Sequence, residues 1–290
     1  MEEAIQKAAA LIEAHHYIRR FRGKTVVIKI GGSIMDNPKT LHQLLMDLCF
    51  MDTVGIRPVL VHGGGKGITA AMQEAGLEAQ FVQGRRYTDE RTLAIVENVL
   101  VNTINASIVE TLNNADHRGM GLHSLASCVL FGKRLYLPGE EDRKIDIGFV
   151  GEVDWVNAQL INALVEAEHI PVIAPIARDQ SGGKLNINAD SAAGMVAAAV
   201  KAEKLVLVSD THGIRTSESE DSYATHLSKP DIEGLIDSGV ITTGMLPKVE
   251  SCFTALEGGV SKTHIIDGRI PHSLLLEIFS KAGIGTEIVL

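Results

Sequence analysis

Lys29 and Lys248 lie far apart in the chain, and each stands beside a glycine-bearing turn. Lys29 is carried by the apolar run VVIKIGG, two residues before Gly31 and Gly32. Lys248 follows Gly244 and Pro247 in ITTGMLPKVES (241–251). A third stretch, HGGGKGIT (62–69), places Gly63, Gly64 and Gly65 at the end of an apolar run and the start of a helical pattern. Glycines let backbone N–H groups crowd around an oxyanion, and a helix N-terminus adds partial positive charge. Phosphate or carboxylate suits such a turn, and a lysine beside it can hold a transferring phosphoryl group by charge. KLNINADSAAG (184–194) adds Asn186, Asn188 and Asp190.

Each stretch also has a plainer reading. Lys29 could be a solvated lysine on an edge strand, and the glycine run a turn made for close packing. Asn and Asp near a helix start serve as turn residues and N-caps. Against these, Asp190 could orient the lysines while an Asn side chain hydrogen-bonds substrate. A lysine opening a helix gains nothing from the dipole, so Lys248 hints at an anionic ligand. The glycine run is neither a Walker loop, because Lys66 is followed by Gly67, nor a GxGxxG fingerprint.

The elements that must position these residues are α/β. TVVIKI (25–30) and RPVLVHGG (57–64) read as strands flanking a helix over 39–54, a parallel βαβ unit. A helix follows the glycine run, then a hairpin over 77–87, then a long helix from about Thr88 with Leu93, Val96, Leu100, Ile104, Ile108 and Leu112 at helical spacing. Residues 122–153 read as short strands and polar loops. HIPVIAPI (169–176) and KLVLVSD (204–210) are continuous apolar runs, hence buried strands. A small-residue helix lies between them, and GVSKTHIID and GTEIVL supply two more strands. The polar stretch TSESEDS (216–222) reads as a mobile surface loop. Residues 4–21 form an amphipathic helix ahead of the first strand, packed on its own domain or on a partner. The fold predicted is a three-layer α/β/α sandwich around a mainly parallel open sheet. Its parts are an N-terminal helix (1–22), one lobe over 23–175 and a second over 176–290.

Composition narrows the function. The 290 residues are 45% hydrophobic and 22% charged, an ordinary globular balance. Net charge −9 counts against nucleic-acid binding. The start of the chain has no apolar signal-like core, and no unbroken apolar run is long enough to span a bilayer. Cys49, Cys128 and Cys252 are widely spaced and match no zinc or disulfide framework, as in a reduced cytoplasmic protein.

VIKIGG, VLVHGGG, GRRYTD, GFVGEVDWVN, LNINADSAAG, LVLVSDTHGI, GVITTGMLPKVESC and HIIDGRIPHSLLLEIFSKAGIGTEI occur in this order. From about residue 20 to the C-terminus the chain resembles the N-acetyl-L-glutamate kinases of the amino-acid kinase family. The amino-terminal helix resembles the arginine-inhibited, hexameric branch, whose helices interlace dimers. The resemblance implies the carbamate-kinase-like fold, with acyl substrate in the first lobe and ATP in the second. It implies ATP-dependent phosphorylation of the γ-carboxylate of N-acetyl-L-glutamate, with magnesium held mainly by the phosphates and no protein metal site.

By resemblance, Lys29 and Lys248 stabilise the transferring phosphoryl group and Asp190 holds both. Gly31 and Gly32 line the phosphate path. Gly63, Gly64 and Gly65 contact phosphate and the γ-carboxylate. Arg86 grips the α-carboxylate, and Asn186 and Asn188 bind the same substrate. Ser209, Asp210, Gly213 and Ile214, with Gly244 and Met245 beside Thr243, cradle the nucleotide. His272, Glu277, Gly283 and Gly285 fall in the segment resembling the arginine site. A homodimer or homohexamer follows, and a PII signalling protein is a partner of some relatives. The chain departs from the family pattern at Lys66, at Tyr87, after Gly31 and Gly32, and over 121–135. A sister kinase with another carboxylate acceptor and a non-catalytic arginine-sensing module are the alternatives.

Overall fold

The computed structural model describes residues 1–290 except 124–126, 141–142, 218, 220–221, 243 and 281–282. Thr243, part of the 216–222 loop and part of the 121–135 segment therefore lie outside the described residues. In chain order the elements begin with α1 (Glu2–Phe21), β1 (Thr25–Ile30), α2 (Gly32–Met35), α3 (Pro38–Thr53), β2 (Arg57–His62) and α4 (Gly65–Glu74). The hairpin β3 (Phe81–Val82) and β4 (Arg85–Arg86) precedes a long helix, made of α5 (Glu90–Glu97), a π-helical segment (Asn98–Asn105) and α6 (Ala106–Asn114). Then come β5 (Gly119–Leu122), β6 (Leu130–Pro138), β7 (Lys144–Val156), α7 (Ala158–Glu166), β8 (Ile170–Ile173), β9 (Ile176–Arg178) and β10 (Lys184–Ile187). The chain closes with α8 (Ala189–Ala199), β11 (Lys204–Ser209), β12 (His226–Ser228), α9 (Lys229–Asp237), α10 (Leu246–Glu257), β13 (Lys262–Asp267), α11 (Ser273–Phe279) and β14 (Thr286–Val289).

Eight strands form one sheet in the order β12-β14-β13-β11-β1-β2-β8-β5, parallel except where β13 meets β14. β1 is hydrogen-bonded to β11 on one side and β2 on the other. Lys29 is therefore on a central strand, and the edge-lysine reading fails. Successive side chains on a strand face opposite sides. Val27 packs with α8 and α10, whereas Val26, Ile28 and Ile30 pack with α3 and α11. Lys29 shares its parity with Val27 and so rises on the side of α8.

Two expectations are corrected. The stretch 122–153, expected as short strands and polar loops, holds most of a long antiparallel pair, β6–β7, closed with β9 and β10 into a small barrel. HIPVIAPI is two strands in different sheets, broken at Pro175. The helix Glu90–Asn114 is long and apolar enough by length and composition to cross a membrane. Its Val96, Leu100, Ile108 and Leu112 instead pack in the core. On α1, Phe21 is buried but Ile5, Leu11 and Ile12 are exposed.

Candidate active site

α8 is rich in Ala, with Gly194 at its middle, because it is squeezed between the sheet and α10. A Cβ on Gly194 would come 2.6 Å from the carbonyl oxygen of Ser251. That closeness sets the site. Asn188, not Asp190, caps α8: its Oδ1 accepts from the N–H of Ser191 at 3.0 Å. Asp190, in the first turn, is free to face the sheet. Its Oδ1 lies 2.7 Å from Lys29 Nζ, and its Oδ2 accepts from Lys248 Nζ at 3.2 Å. Both Lys29 and Asp190 are buried. Burial pushes the Asp190 carboxyl up, but Lys29 and Lys248 together hold it below the usual carboxylate range. Burial also pulls Lys29 below an ordinary lysine, against the attraction of Asp190. The net result is two ammonium groups gathered by one carboxylate, an excess of positive charge.

The glycine turns meet beside this cluster. A Cβ on Gly32 would lie 3.5 Å from the Gly65 nitrogen and 3.9 Å from that of Gly64. The N–H groups of Gly31 and Gly63 are already given to the carbonyls of Val208 and Ile30, each at 3.0 Å. The donors left for a ligand are those of Gly32, Gly64 and Gly65, at or just before helix starts where N–H groups lack intrahelical partners. They open on a cavity of about 230 Å³ that Lys29, Arg86, Asn186, Asn188 and Asp190 also line. Arg86 stacks on Phe81 with 4.8 Å to the ring centroid, and its Nη2 donates to the Gly65 carbonyl at 2.9 Å and the Thr69 hydroxyl at 2.8 Å. Asn186 donates to Thr88 Oγ1 at 3.2 Å. The arrangement can neutralise a polyanion at the Lys29 end and hold a carboxylate at the Arg86 end.

The residues expected at the nucleotide lie at the end of β11, in the loop after it, and just before α10. Ser209 ends β11, and its hydroxyl donates to Asp210 at 3.3 Å. Burial raises the Asp210 carboxyl, but hydrogen bonds from Ser33 and Ser209 hold it below its usual value. Gly213 has φ +143, and a Cβ there would strike Thr286. The N–H of buried Ile214 donates to Thr286 Oγ1 at 2.8 Å. Gly213 and Ile214 thus dock the loop on β14. Gly244 and Met245 precede α10, and the Met245 carbonyl accepts from the N–H of Lys248 at 3.0 Å. Among the described residues no group of three or more His, Cys, Asp or Glu is placed to hold a metal ion.

A second cavity, of about 180 Å³, lies between α1 and the β13–α11 region, and Glu277, Gly283 and Gly285 line it together with Tyr17, Lys204 and His264. Glu277 is buried and bound to Lys204 Nζ at 2.6 Å and His264 Nε2 at 3.0 Å. Burial raises this carboxyl, but His264 and Lys204 bring it down to about 2. His272 stands apart from the cavity. It has left-handed backbone with φ +56, and its Nδ1 is 2.7 Å from buried Asp47. Sequence reasoning missed Lys204 and His264, which look like ordinary strand residues until β11 and β13 are paired.

The profile of the amino acid kinase family matches residues 24–267. An acetylglutamate kinase of Desulfitobacterium hafniense is 43% identical over 291 residues, covering 99% of this chain and 98% of that protein. An N-acetylglutamate synthase from Neisseria gonorrhoeae, solved with coenzyme A and N-acetyl-glutamate, is 26% identical with a TM-score of 0.86. That match covers 98% of this chain and 63% of the synthase chain. The same synthase solved with coenzyme A and L-arginine is 25% identical with a TM-score of 0.81, over 97% of this chain and 65% of the synthase chain.

Proposed function

The chain belongs to the amino acid kinase family and is a carboxyl-group phosphotransferase of the acetylglutamate kinase type, and we propose that it moves the γ-phosphoryl group of ATP onto the γ-carboxylate of N-acetyl-L-glutamate. The observation that carries this is Asp190 gripping Lys29 and Lys248 beside the Gly32, Gly64 and Gly65 donors. The acceptor carboxylate is ionised near neutrality and needs no general base. Its oxygen forms the new P–O bond as the bond from the γ-phosphorus to the β–γ bridging oxygen breaks, giving an acyl phosphate and ADP. Such transfers need positioning and positive charge around the equatorial oxygens more than covalent help. Lys29 comes from the sheet and Lys248 from α10, so charge arrives from two sides. Arg86 would take the α-carboxylate with its remaining N–H groups, and Asn186 and Asn188 the amide end. The nucleotide would rest along Ser209, Asp210, Gly213, Ile214, Gly244 and Met245, with magnesium held through the phosphates.

The lobes 23–175 and 176–290 would serve acceptor and nucleotide respectively, in a cytoplasmic enzyme of arginine biosynthesis. Arginine would act as feedback inhibitor in the second cavity, where buried Glu277 offers a carboxylate to a guanidinium. The exposed Ile5, Leu11 and Ile12 on α1 favour a homohexamer built from homodimers through that helix. An ADP-release assay with Mg-ATP and N-acetylglutamate, glutamate, aspartate or N-acetylaminoadipate, each with and without arginine, tests these points. Turnover restricted to N-acetylglutamate and suppressed by arginine is expected. Turnover with another acceptor alone would move the assignment to a sister kinase.

A further inference from the structure

His62 ends β2 and is fully buried, and the transfer scheme above makes no use of it. Its Nδ1 lies 2.9 Å from the Gly63 carbonyl oxygen. Its Nε2 lies 3.1 Å from Asn105 Nδ2, which also donates to the Val172 carbonyl at 2.9 Å. These contacts fix the ring proton. Only the amide nitrogen of Asn105 can face the Val172 carbonyl, and its second proton then points at Nε2. Nε2 must accept, so the proton sits on Nδ1 and is donated to Gly63. Burial keeps the ring neutral, with its pKa drawn down to about 4.

The Gly63–Gly64 peptide is trans, so its C=O and N–H point in opposite directions. An imidazole that holds the carbonyl in the core holds the Gly64 N–H toward the cavity, where it has no acceptor among the described residues. Two adjacent glycines otherwise resist peptide rotation poorly. The π-helical segment Asn98–Asn105 backs the same turn. It supplies Asn105, and it sets Leu100 and Ile104 where a Cβ on Gly64 would come within 2.5 and 2.8 Å. Such π segments recur at functional sites.

We propose that His62, with its tautomer set by Asn105, is a positioning residue that locks the Gly63–Gly64 peptide so that the Gly64 N–H faces the transferring phosphoryl group. The inference rests on the phosphoryl-transfer reading. Were the peptide to turn over, a carbonyl oxygen would face the anion in place of a donor.

The test combines ring ¹⁵N NMR with kinetics on the full-length enzyme. His62→Leu removes the donor, His62→Asn restores an N–H near the Nδ1 position, and Asn105→Asp replaces the donor to Nε2 with an acceptor, inverting the tautomer. His62→Leu and Asn105→Asp should each lower kcat by about 10²–10³, the effect of losing one oxyanion donor. KM for either substrate should move less than about threefold, as for an interaction made in the transition state. His62→Asn should recover about tenfold or more of the loss. The wild-type spectrum should place the proton on Nδ1. A wild-type proton on Nε2, or an unchanged kcat in an Asn105→Asp enzyme whose spectrum shows Nδ1 without a proton, overturns the proposal even if the Leu variant does not fold. A wild-type enzyme without turnover would instead sink the phosphoryl-transfer reading, whatever the tautomer.

Discussion

The hydroxyl of Ser251 donates to the backbone carbonyl of Asp190 at 2.6 Å. Ser251 lies one turn beyond Lys248 on α10, so the helix that carries one lysine is bonded to the residue that grips both. Packing of α8 against α10 and charge at the site are therefore one construction.

Gly194→Ala should damage both. Its Cβ would meet the Ser251 backbone, and overpacking of this kind costs about 1–3 kcal/mol. The melting temperature should fall by a few degrees and kcat should fall with it, because Lys248 moves off Asp190. Thermal unfolding and ADP release measure the two. A variant matching wild type in both would break the link.

Lys29 should show in the alkaline limb of the kcat/KM profile, which reports groups of the free enzyme. Burial sets it below the ordinary lysine value of 10.5. The unfolded chain then binds more protons between the two pKa values, so this group's contribution to stability rises with pH across that window. Activity runs the other way, since neutral Lys29 no longer balances phosphoryl charge. The limb should fall below pH 10.5 and vanish into background in Lys29→Met. A limb at or above that pH would exclude Lys29 as its source.

Glu277 should govern acid stability. Its carboxyl titrates at about 2 when folded and at 4.5 ordinarily. A depressed acid contributes stability that is fully present above the unfolded value and is lost as pH falls through the folded one. The contribution is of the order of 3 kcal/mol. In Glu277→Gln the slope of melting temperature between pH 4.5 and 2 should flatten, and neutral-pH stability should drop because Lys204 stays buried unpaired. An unaltered slope would mean that other groups carry the acid transition.

Removing residues 1–20 should lower the oligomeric mass, because Ile5, Leu11 and Ile12 stand exposed on α1. It should also weaken arginine inhibition, since Tyr17 and Arg20 line the second cavity. Light scattering and inhibition curves read these outcomes. An unchanged mass with unchanged inhibition contradicts them.

Lys29, Lys248 and the glycine turns stood out in the sequence because each breaks its local pattern: a charge in an apolar strand, glycines at a helix start, a lysine at the wrong helix end. What the patterns could not carry was three-dimensional pairing. Asn188 and Asp190 are both capping types, and only the packing of α8 on α10 decides which one caps. Gly31 and Gly63 looked like anion donors, yet sheet pairing uses their N–H groups. The β6–β7 pair was obscured by its bulges, which disturb the two-residue alternation. The π segment keeps an apolar helical spacing, so nothing in the residue order betrays it. His272 sits in a motif near Glu277, but α11 turns it toward Asp47.

The central claim is acyl phosphate formation by two lysines held on Asp190, and hydroxylamine trapping tests it most directly. Wild type with Mg-ATP and N-acetylglutamate should give hydroxamate matching the ADP released. Lys29→Met and Lys248→Met should each lose about 10²–10³ of that rate while remaining folded. ADP release without hydroxamate, or wild-type trapping by either variant, would contradict the account.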